Sequence, residues 1–482
     1  MSNIEYADLS KKYINGLGEE IEDINPATGE VLAKIKTMLI EDVMEIISKA
    51  VASYSKWSSM PPPIRGRILY KAGEIMEQEK NYLAILMTKE EGKTYNDSVF
   101  EVIRSYETLK FYGAMAFKYG GQVIPSNDFN TRILTYRIPL GTVGLITPWN
   151  FPLSIPVWKA APALAMGNTV ILKPASKTPL MAAAFLDILR RAGLPENVLS
   201  LVVGPGSTVG EVIVKSENIS AISFTGSLDI GKGIYKKIGE KNRFTRLQLE
   251  LGGKNALYVD ESADLTLAVN LAIKGAFGLT GQSCTATSRL IVHKNVYEKI
   301  KNGLLEGLKN WKVGNGLEKG IDMGPVVDQL QLKTDLEYIE SGINEGAKLL
   351  IGGSLIKNEK SNLFLQPTVF EFVSPDMKIF KEEIFGPVLS LTEANSVEEA
   401  ISLINSVKYG HTSAIVAKDN TIINKFVTEV ETGVIKINKP TVGLELQAPF
   451  GTLKSSGANT WKEMGEEALE FYSTEKTIYQ GW

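Results

Sequence analysis

The chain has 482 residues and a formal net charge of −3, with 22% charged and 44% hydrophobic residues, enough apolar material for the cores of roughly two to three domains. This balance leaves no basic footprint for nucleic acid, and a single cysteine with two histidines excludes an intrachain disulfide and a Cys/His zinc centre. No uninterrupted apolar run approaches membrane-spanning length, and Met1-Ser2-Asn3-Ile4-Glu5 lacks the basic and apolar regions of a signal peptide, so a reducing, cytoplasmic setting is expected.

Residues 13–37 read as short strands around Asn25-Pro26-Ala27-Thr28-Gly29, a segment dense in turn formers. Helical patterns follow at 40–57 and 64–91, with Pro61-Pro62-Pro63 placed to begin the second. A third, near 97–118, carries Val102, Leu109, Phe111, Tyr112 and Met115. Thr131 to Arg137 then alternates like a strand, and its two arginines and isolation make 121–139 an arm. An exposed strand of this kind tends to pair, often with another subunit.

From residue 141 the rhythm becomes strand and helix in turn. Strands are predicted at 141–147, 169–172, 199–203 and 219–224, with helices at 154–166, around 181–189, at 207–215 and from Ser227. Leu247, Leu249 and Leu251 alternate with Gln248 and Glu250 as the next strand. Short apolar strands between amphipathic helices mean a parallel sheet covered on both faces. Leu265, Ala268, Leu271, Ala272 and Ala276 recur at helical spacing, which predicts a helix running up to Gly278. Strands near 289–292, 348–351, 368–372, 387–391, 413–417 and 433–437 form a second series. The fold class is α/β: two α/β domains and a small strand arm.

Cys284 emerges just beyond that helix, in Gly281-Gln282-Ser283-Cys284-Thr285-Ala286. A free thiol is by default buried and inert. A structural cysteine, however, sits more often in an apolar run than in a glycine-rich polar turn, so the flank favours a reactive thiol. His293 and His411 lack suggestive neighbours; a protease-like Cys–His pair stands against a solvated or core role for both. Thr225-Gly226-Ser227 joins a strand to a helix N-terminus, where backbone N–H groups and the helix dipole hold phosphate; a simple tight turn is the competing reading. Lys173 ends the strand 169–172, where doubly wound sheets bind ligands, or is a solvated loop lysine. Glu250 opposes its strand's leucines; near apolar surface its pKa rises and it becomes a general base, while an exposed strand glutamate would look the same locally. Asn150, in Pro148-Trp149-Asn150-Phe151-Pro152, offers an amide to a developing oxyanion, or is a turn asparagine.

Six segments occur in order: Pro148-Trp149-Asn150-Phe151-Pro152, Leu172-Lys173-Pro174-Ala175-Ser176, Phe224-Thr225-Gly226-Ser227, Glu250-Leu251-Gly252-Gly253-Lys254, Gly281-Gln282-Ser283-Cys284 and Glu382-Glu383-Ile384-Phe385-Gly386-Pro387. Together they resemble the aldehyde dehydrogenase superfamily over essentially the whole chain. The resemblance implies a Rossmann-like cofactor domain (1–120 and 140–252), a catalytic domain (253–455), an oligomerisation arm (121–139 and 456–482), and a dimer or a homotetramer built as a dimer of dimers. It implies Cys284 as nucleophile, Asn150 and the Cys284 backbone N–H on the oxyanion, and Glu250 activating water against a thioester. It places Trp149, Ser227, Thr225, Gly226, Gly231 and Leu251 by the cofactor, Lys173 and Ser176 by its adenosine ribose, Glu383 on the nicotinamide ribose and Phe385 beside the ring.

Relatives that prefer NAD often carry glutamate at the position of Ser176. A neutral residue there, with Lys173 and Lys177 close in sequence, removes repulsion of a 2′-phosphate, which points to NADP with NAD use open. The resemblance places Arg104, Ile155, Trp158, Ser283, Thr285 and Leu444 around the substrate. Arg104 either meets an anionic substrate tail or forms an ion pair with Glu101 or Glu107. The segment Asn438 to Gly451 looks like that of 2,5-dioxopentanoate (α-ketoglutarate semialdehyde) dehydrogenases of sugar-acid breakdown; Thr452, where relatives commonly have glycine, departs from the pattern. Glyceraldehyde, glyceraldehyde 3-phosphate and succinic semialdehyde stay open as substrates. So do a cofactor-independent cysteine hydrolase using Cys284 and Glu250, and a non-catalytic role.

Overall fold

A computed structural model describes residues 6–14, 16–458 and 461–482. The expectation drawn from Met1 to Glu5 lies outside the described residues, as do Asn459 and Thr460 of the arm.

Five strands form one parallel sheet in the order Leu199–Leu201, Thr169–Lys173, Thr142–Ile146, Ile219–Thr225 and Arg246–Glu250. Chain order therefore reverses between Thr142–Ile146 and Ile219–Thr225, whose ends lie level at Ile146 and Phe224. A reversal of this kind opens a crevice at the carboxyl ends of the two strands. Their exits are Thr147-Pro148-Trp149-Asn150 and Thr225-Gly226-Ser227. The strands are buried on both faces, which is why they read as continuous apolar runs; each fully buried Val, Leu or Ile contributes about 1.5–3 kcal/mol.

A seven-stranded sheet runs Lys348–Ile351, Thr368–Glu371, Val388–Ala394, Thr287–His293, Asn255–Val259, Thr412–Val416 and Val434–Ile437, with only Lys348–Ile351 antiparallel to its neighbour. A third sheet pairs Thr131–Pro139 with Val123–Ile124 on one side and Ser473–Gly481 on the other. The arm strand is thus paired within its own chain, and Tyr479 and Trp482 remain exposed on it.

The helices Ile40–Ser58, Tyr95–Met115, Ser154–Met166 and Leu265–Phe277 lie where the periodicity predicts them. The structure differs in three places. The pattern over 64–91 is two helices, Pro62–Gln78 and Lys80–Glu91, broken where Glu79 leaves helical torsion angles (φ −96°, ψ 12°) with no glycine or proline to mark it. The strand Asn255–Val259 is central to its sheet yet went unpredicted, because it follows Gly252-Gly253-Lys254 without a turn of its own. The segment 207–215 begins as a π-helical turn at Gly206–Gly210 before the short helix Glu211–Lys215. Thr452 is buried and fits its loop because it faces Gly457, where a Cβ would strike its hydroxyl. No helix among the described residues is long and apolar enough to cross a membrane.

Candidate active site

Cys284 is half-buried, in a loop that leaves the helix Leu265–Phe277 through three consecutive left-handed residues, Leu279 (φ 55°), Thr280 (φ 58°) and Gly281 (φ 67°). Two of the three carry side chains, so the turn holds strain of about 1–3 kcal/mol per residue. A Cβ at Gly281 would collide with the Gly386 carbonyl. The loop is then pinned from both sides. Asn255 Nδ2 donates to the carbonyls of Cys284 (2.7 Å) and Ala286 (2.9 Å), while Asn255 Oδ1 accepts from the Thr412 N–H (2.9 Å). From the other sheet, Asn150 Nδ2 donates to the Gln282 carbonyl at 3.0 Å. One of the two Asn150 N–H bonds is used there, and the second is left for another acceptor.

A buried ion pair fixes Asn150. Lys93 Nζ donates to Glu101 Oε2 (2.8 Å) and to the Asn150 carbonyl (2.6 Å), and lies 4.7 Å over the Phe151 ring. Glu101 Oε1 accepts the Leu153 and Ser154 N–H groups, each at 2.9 Å, at the start of the helix Ser154–Met166. A carboxylate is favourable at a helix N-terminus. Sequence reasoning missed Lys93 and Glu101 as site residues, since nothing local marks a lysine in Glu91-Gly92-Lys93 as buried. Arg104 accordingly does not pair with Glu101 or Glu107. It donates to the Leu444 carbonyl and lies 3.6 Å from the Glu445 carboxylate, so Arg104 and Leu444 do come together.

Glu250 is buried, and desolvation followed by the nearby Glu463 carboxylate raises its pKa well above the ordinary range. Burial, and after it Glu250, Glu383 and Glu463, likewise raise the Cys284 pKa. Each of these influences favours the neutral thiol over the thiolate. Glu463 accepts from Trp158 Nε1 (2.7 Å) and pairs with Lys159, which also donates to Ser223 Oγ (2.7 Å). Ile155 is buried; the Ser283 and Thr285 hydroxyls face each other at 3.1 Å, and the Thr285 carbonyl accepts from Thr441 Oγ1.

The glycines Gly252-Gly253 thread between these groups. A Cβ on Gly252 would enter the Glu383 carboxylate, and one on Gly253 would lie 2.7 Å from the Cys284 carbonyl oxygen and 2.9 Å from His411 Cβ. Glu383 Oε1 accepts the Gly253 N–H at 2.8 Å, and burial raises its pKa to about 7. Phe385, at φ 64°, sets its ring edge-on to Trp149 with centroids 5.5 Å apart.

A dinucleotide fits the crevice. Ser227 caps the helix Leu228–Gly239 without using its side chain, and Thr225 Oγ1 is buried with no hydrogen-bond partner among the described residues. The Gly226 backbone packs so tightly on the Phe224 ring that a Cβ would fall 2.5 Å from Cζ, and a Cβ on Gly231 would meet Leu251. Free N–H groups at such a helix start suit a pyrophosphate. At the end of the strand Thr169–Lys173, Lys173 is buried, its pKa lowered to about 8 by desolvation, and among the described residues Nζ has the Pro174 carbonyl in reach (3.2 Å). Ser176 Oγ donates to the Gly204 carbonyl at 3.1 Å. Lys177, taken from the sequence as a second available cation, is instead paired with Asp328 and stands 5.7 Å over the Trp149 ring.

Comparison with known proteins matches residues 13–478 to the aldehyde dehydrogenase family. The 2,5-dioxopentanoate dehydrogenase of Saccharolobus solfataricus is 64% identical over 99% of each chain. The alpha-ketoglutarate semialdehyde dehydrogenase of Haloferax volcanii is 42% identical over 98% of this chain and 100% of its own. Among solved structures, betaine aldehyde dehydrogenase from Staphylococcus aureus in complex with NAD+ superposes with a TM-score of 0.94 at 30% identity, covering 99% of this chain and 97% of that one.

Proposed function

The chain belongs to the aldehyde dehydrogenase family, and from that premise we propose that it oxidises 2,5-dioxopentanoate to 2-oxoglutarate through a thioester on Cys284. The observation that carries the substrate is the 64% identity, end to end, with an enzyme of that name. Arg104 supports it physically: a half-buried guanidinium held against Leu444 keeps further donors free for a substrate carboxylate.

In the first step the Cys284 sulfur bonds to the aldehyde carbon as its proton passes to solvent water. The carbonyl oxygen becomes an oxyanion, to which the second Asn150 N–H and the Cys284 backbone N–H donate. A nicotinamide cofactor held beside Glu383 and Phe385 would supply the two-electron acceptor for oxidation of that carbon to the thioester. Glu250 then takes a proton from water as the water oxygen bonds to that carbon. The C–S bond breaks, and the acid departs. The raised pKa of Glu250 suits it to this base role near neutral pH.

For the cofactor, NADP is the preferred partner in this reading, supported by the absence of a carboxylate at Ser176 and by the buried cation of Lys173. Only one cation supports it, because Lys177 is engaged with Asp328. Ser176→Glu is expected to raise KM for NADP about tenfold or more and spare NAD; an equal effect on both cofactors refutes the preference. A homotetramer, read as a dimer of dimers, is supported by the exposed Tyr479 and Trp482 on the arm sheet, and a cytoplasmic setting by the single free cysteine.

Reduced-cofactor absorbance with a panel of aldehydes tests the whole reading. Cys284→Ala is expected to abolish oxidation, and Glu250→Ala to leave one turnover of reduced cofactor and then stall. An active Cys284→Ala enzyme refutes the assignment.

A further inference from the structure

His411 stands immediately before the strand Thr412–Val416, and its side chain is fully buried beside Glu250. Its Nε2 lies 4.0 Å from Glu250 Oε2, and among the described residues neither atom has a hydrogen-bond partner. Two buried polar atoms this close, neither paired with a protein group, are costly unless they meet at some stage of the reaction.

The approach is held rigidly. The Ser456 carbonyl accepts the Leu251 N–H at 2.8 Å. Ser456 Oγ accepts the Gly410 N–H at 3.0 Å and donates to the Gly252 carbonyl at 2.8 Å. One serine thereby ties the segment of Glu250 to the segment of His411. The Phe450 ring, centroid 5.3 Å away, closes another side of the imidazole, and the Gly253 backbone packs near the His411 Cβ. Thr412 Oγ1 lies 3.2 Å from Nδ1. The Thr412 hydroxyl can donate to Nδ1, an arrangement that puts the ring hydrogen on Nε2, the nitrogen 4.0 Å from the carboxylate.

We propose that His411 is a positioning residue for Glu250, its Nε2–H closing onto the carboxylate as a hydrogen-bond donor and holding it aligned for the attack of water on the thioester. The inference rests on the thioester reading and adds a residue to it. A side-chain rotation of Glu250 that shortens 4.0 Å by about 1 Å makes the bond. The imidazole acts as a neutral donor rather than a proton store, because burial lowers its pKa to about 3. Other charged groups that act on Glu250 are Glu463, which opposes its ionisation, and Lys159 and Lys462, which favour it. The Lys159 charge is already committed to Glu463. A donor on the ionised form lowers a carboxyl pKa, so His411 brings the base into action at lower pH than burial alone would allow.

The test compares His411→Leu with His411→Gln in the full-length enzyme, reading the first-turnover burst of reduced cofactor and kcat against pH. In His411→Leu the burst is retained and KM for the aldehyde changes less than about twofold, while kcat falls and its acid limb moves up by about one pH unit. His411→Gln, which restores an N–H donor, returns the limb toward its original position. His411→Phe gives the same comparison where the leucine variant does not accumulate as folded protein. A normal burst with an unshifted acid limb in the donorless variants overturns the role of His411 and leaves the thioester reading standing. Aldehyde oxidation that persists in Cys284→Ala overturns the thioester reading itself.

Discussion

Lys93→Met breaks the buried pair that sets Asn150, and the structure fixes the size of the effect. Both side chains are nearly inaccessible. The ammonium makes hydrogen bonds of 2.8 Å to Glu101 and 2.6 Å to the Asn150 carbonyl, with Glu91 a further 3.7 Å away. Hydrogen bonds to charged groups contribute about 1.5–3 kcal/mol each, and the contact over Phe151 about 1 kcal/mol. Part of this offsets the cost of burying the cation, so the net loss on removing one partner is about 3–5 kcal/mol. The remaining charge on Glu101 keeps only its two helix amides. Urea denaturation should report that loss. With the Asn150 carbonyl released, a displacement of about 1 Å is expected to lower kcat about 100-fold. The double variant Lys93→Met/Glu101→Gln, which keeps an acceptor for Leu153 and Ser154 but removes the stranded charge, should recover about 2 kcal/mol. A single variant less than 1 kcal/mol destabilised, or one with full kcat, refutes the argument.

Three further outcomes follow from the geometry. Arg104→Ala should raise KM for acidic aldehydes about 10- to 100-fold and for neutral ones only slightly; equal effects in steady-state kinetics discard the tail-binding role. Gly253→Ala should lower kcat about 100-fold, because its Cβ would press on the Cys284 carbonyl and His411, and unchanged turnover would show that the loop yields freely. Asp335 is buried against Gly386, and desolvation raises its pKa from 3.8 to about 8. The folded state therefore binds the extra proton, and stability falls as pH rises between those values. Asp335→Asn should remove that slope, stabilising by about 1–2 kcal/mol near pH 8 and by little near pH 4; a Tm gain independent of pH contradicts it.

Much of the architecture was legible because parallel strands buried on both faces must be continuous apolar runs, and packed helices must repeat every three to four residues. Cys284 and Asn150 stood out from the glycines or prolines around them, and Glu250 from opposing the leucines of a strand that runs into Gly252-Gly253. Asn255–Val259 did not stand out, since a central strand without a turn before it resembles any short apolar run. Chemical type and chain order were thus written in the sequence: a thiol, a carboxyl and an amide, each at the end of a regular element.

Only the tertiary structure decided what each group faces. Lys93 and Lys173 are both lysines beside a strand or helix end, yet one is locked to Glu101 and the other reaches a backbone carbonyl. His411 has no local signal at all, and two chain segments more than 150 residues apart bring it beside Glu250. Burial, pairing and the direction of each pKa shift are sums over such distant neighbours, and no local pattern carries them.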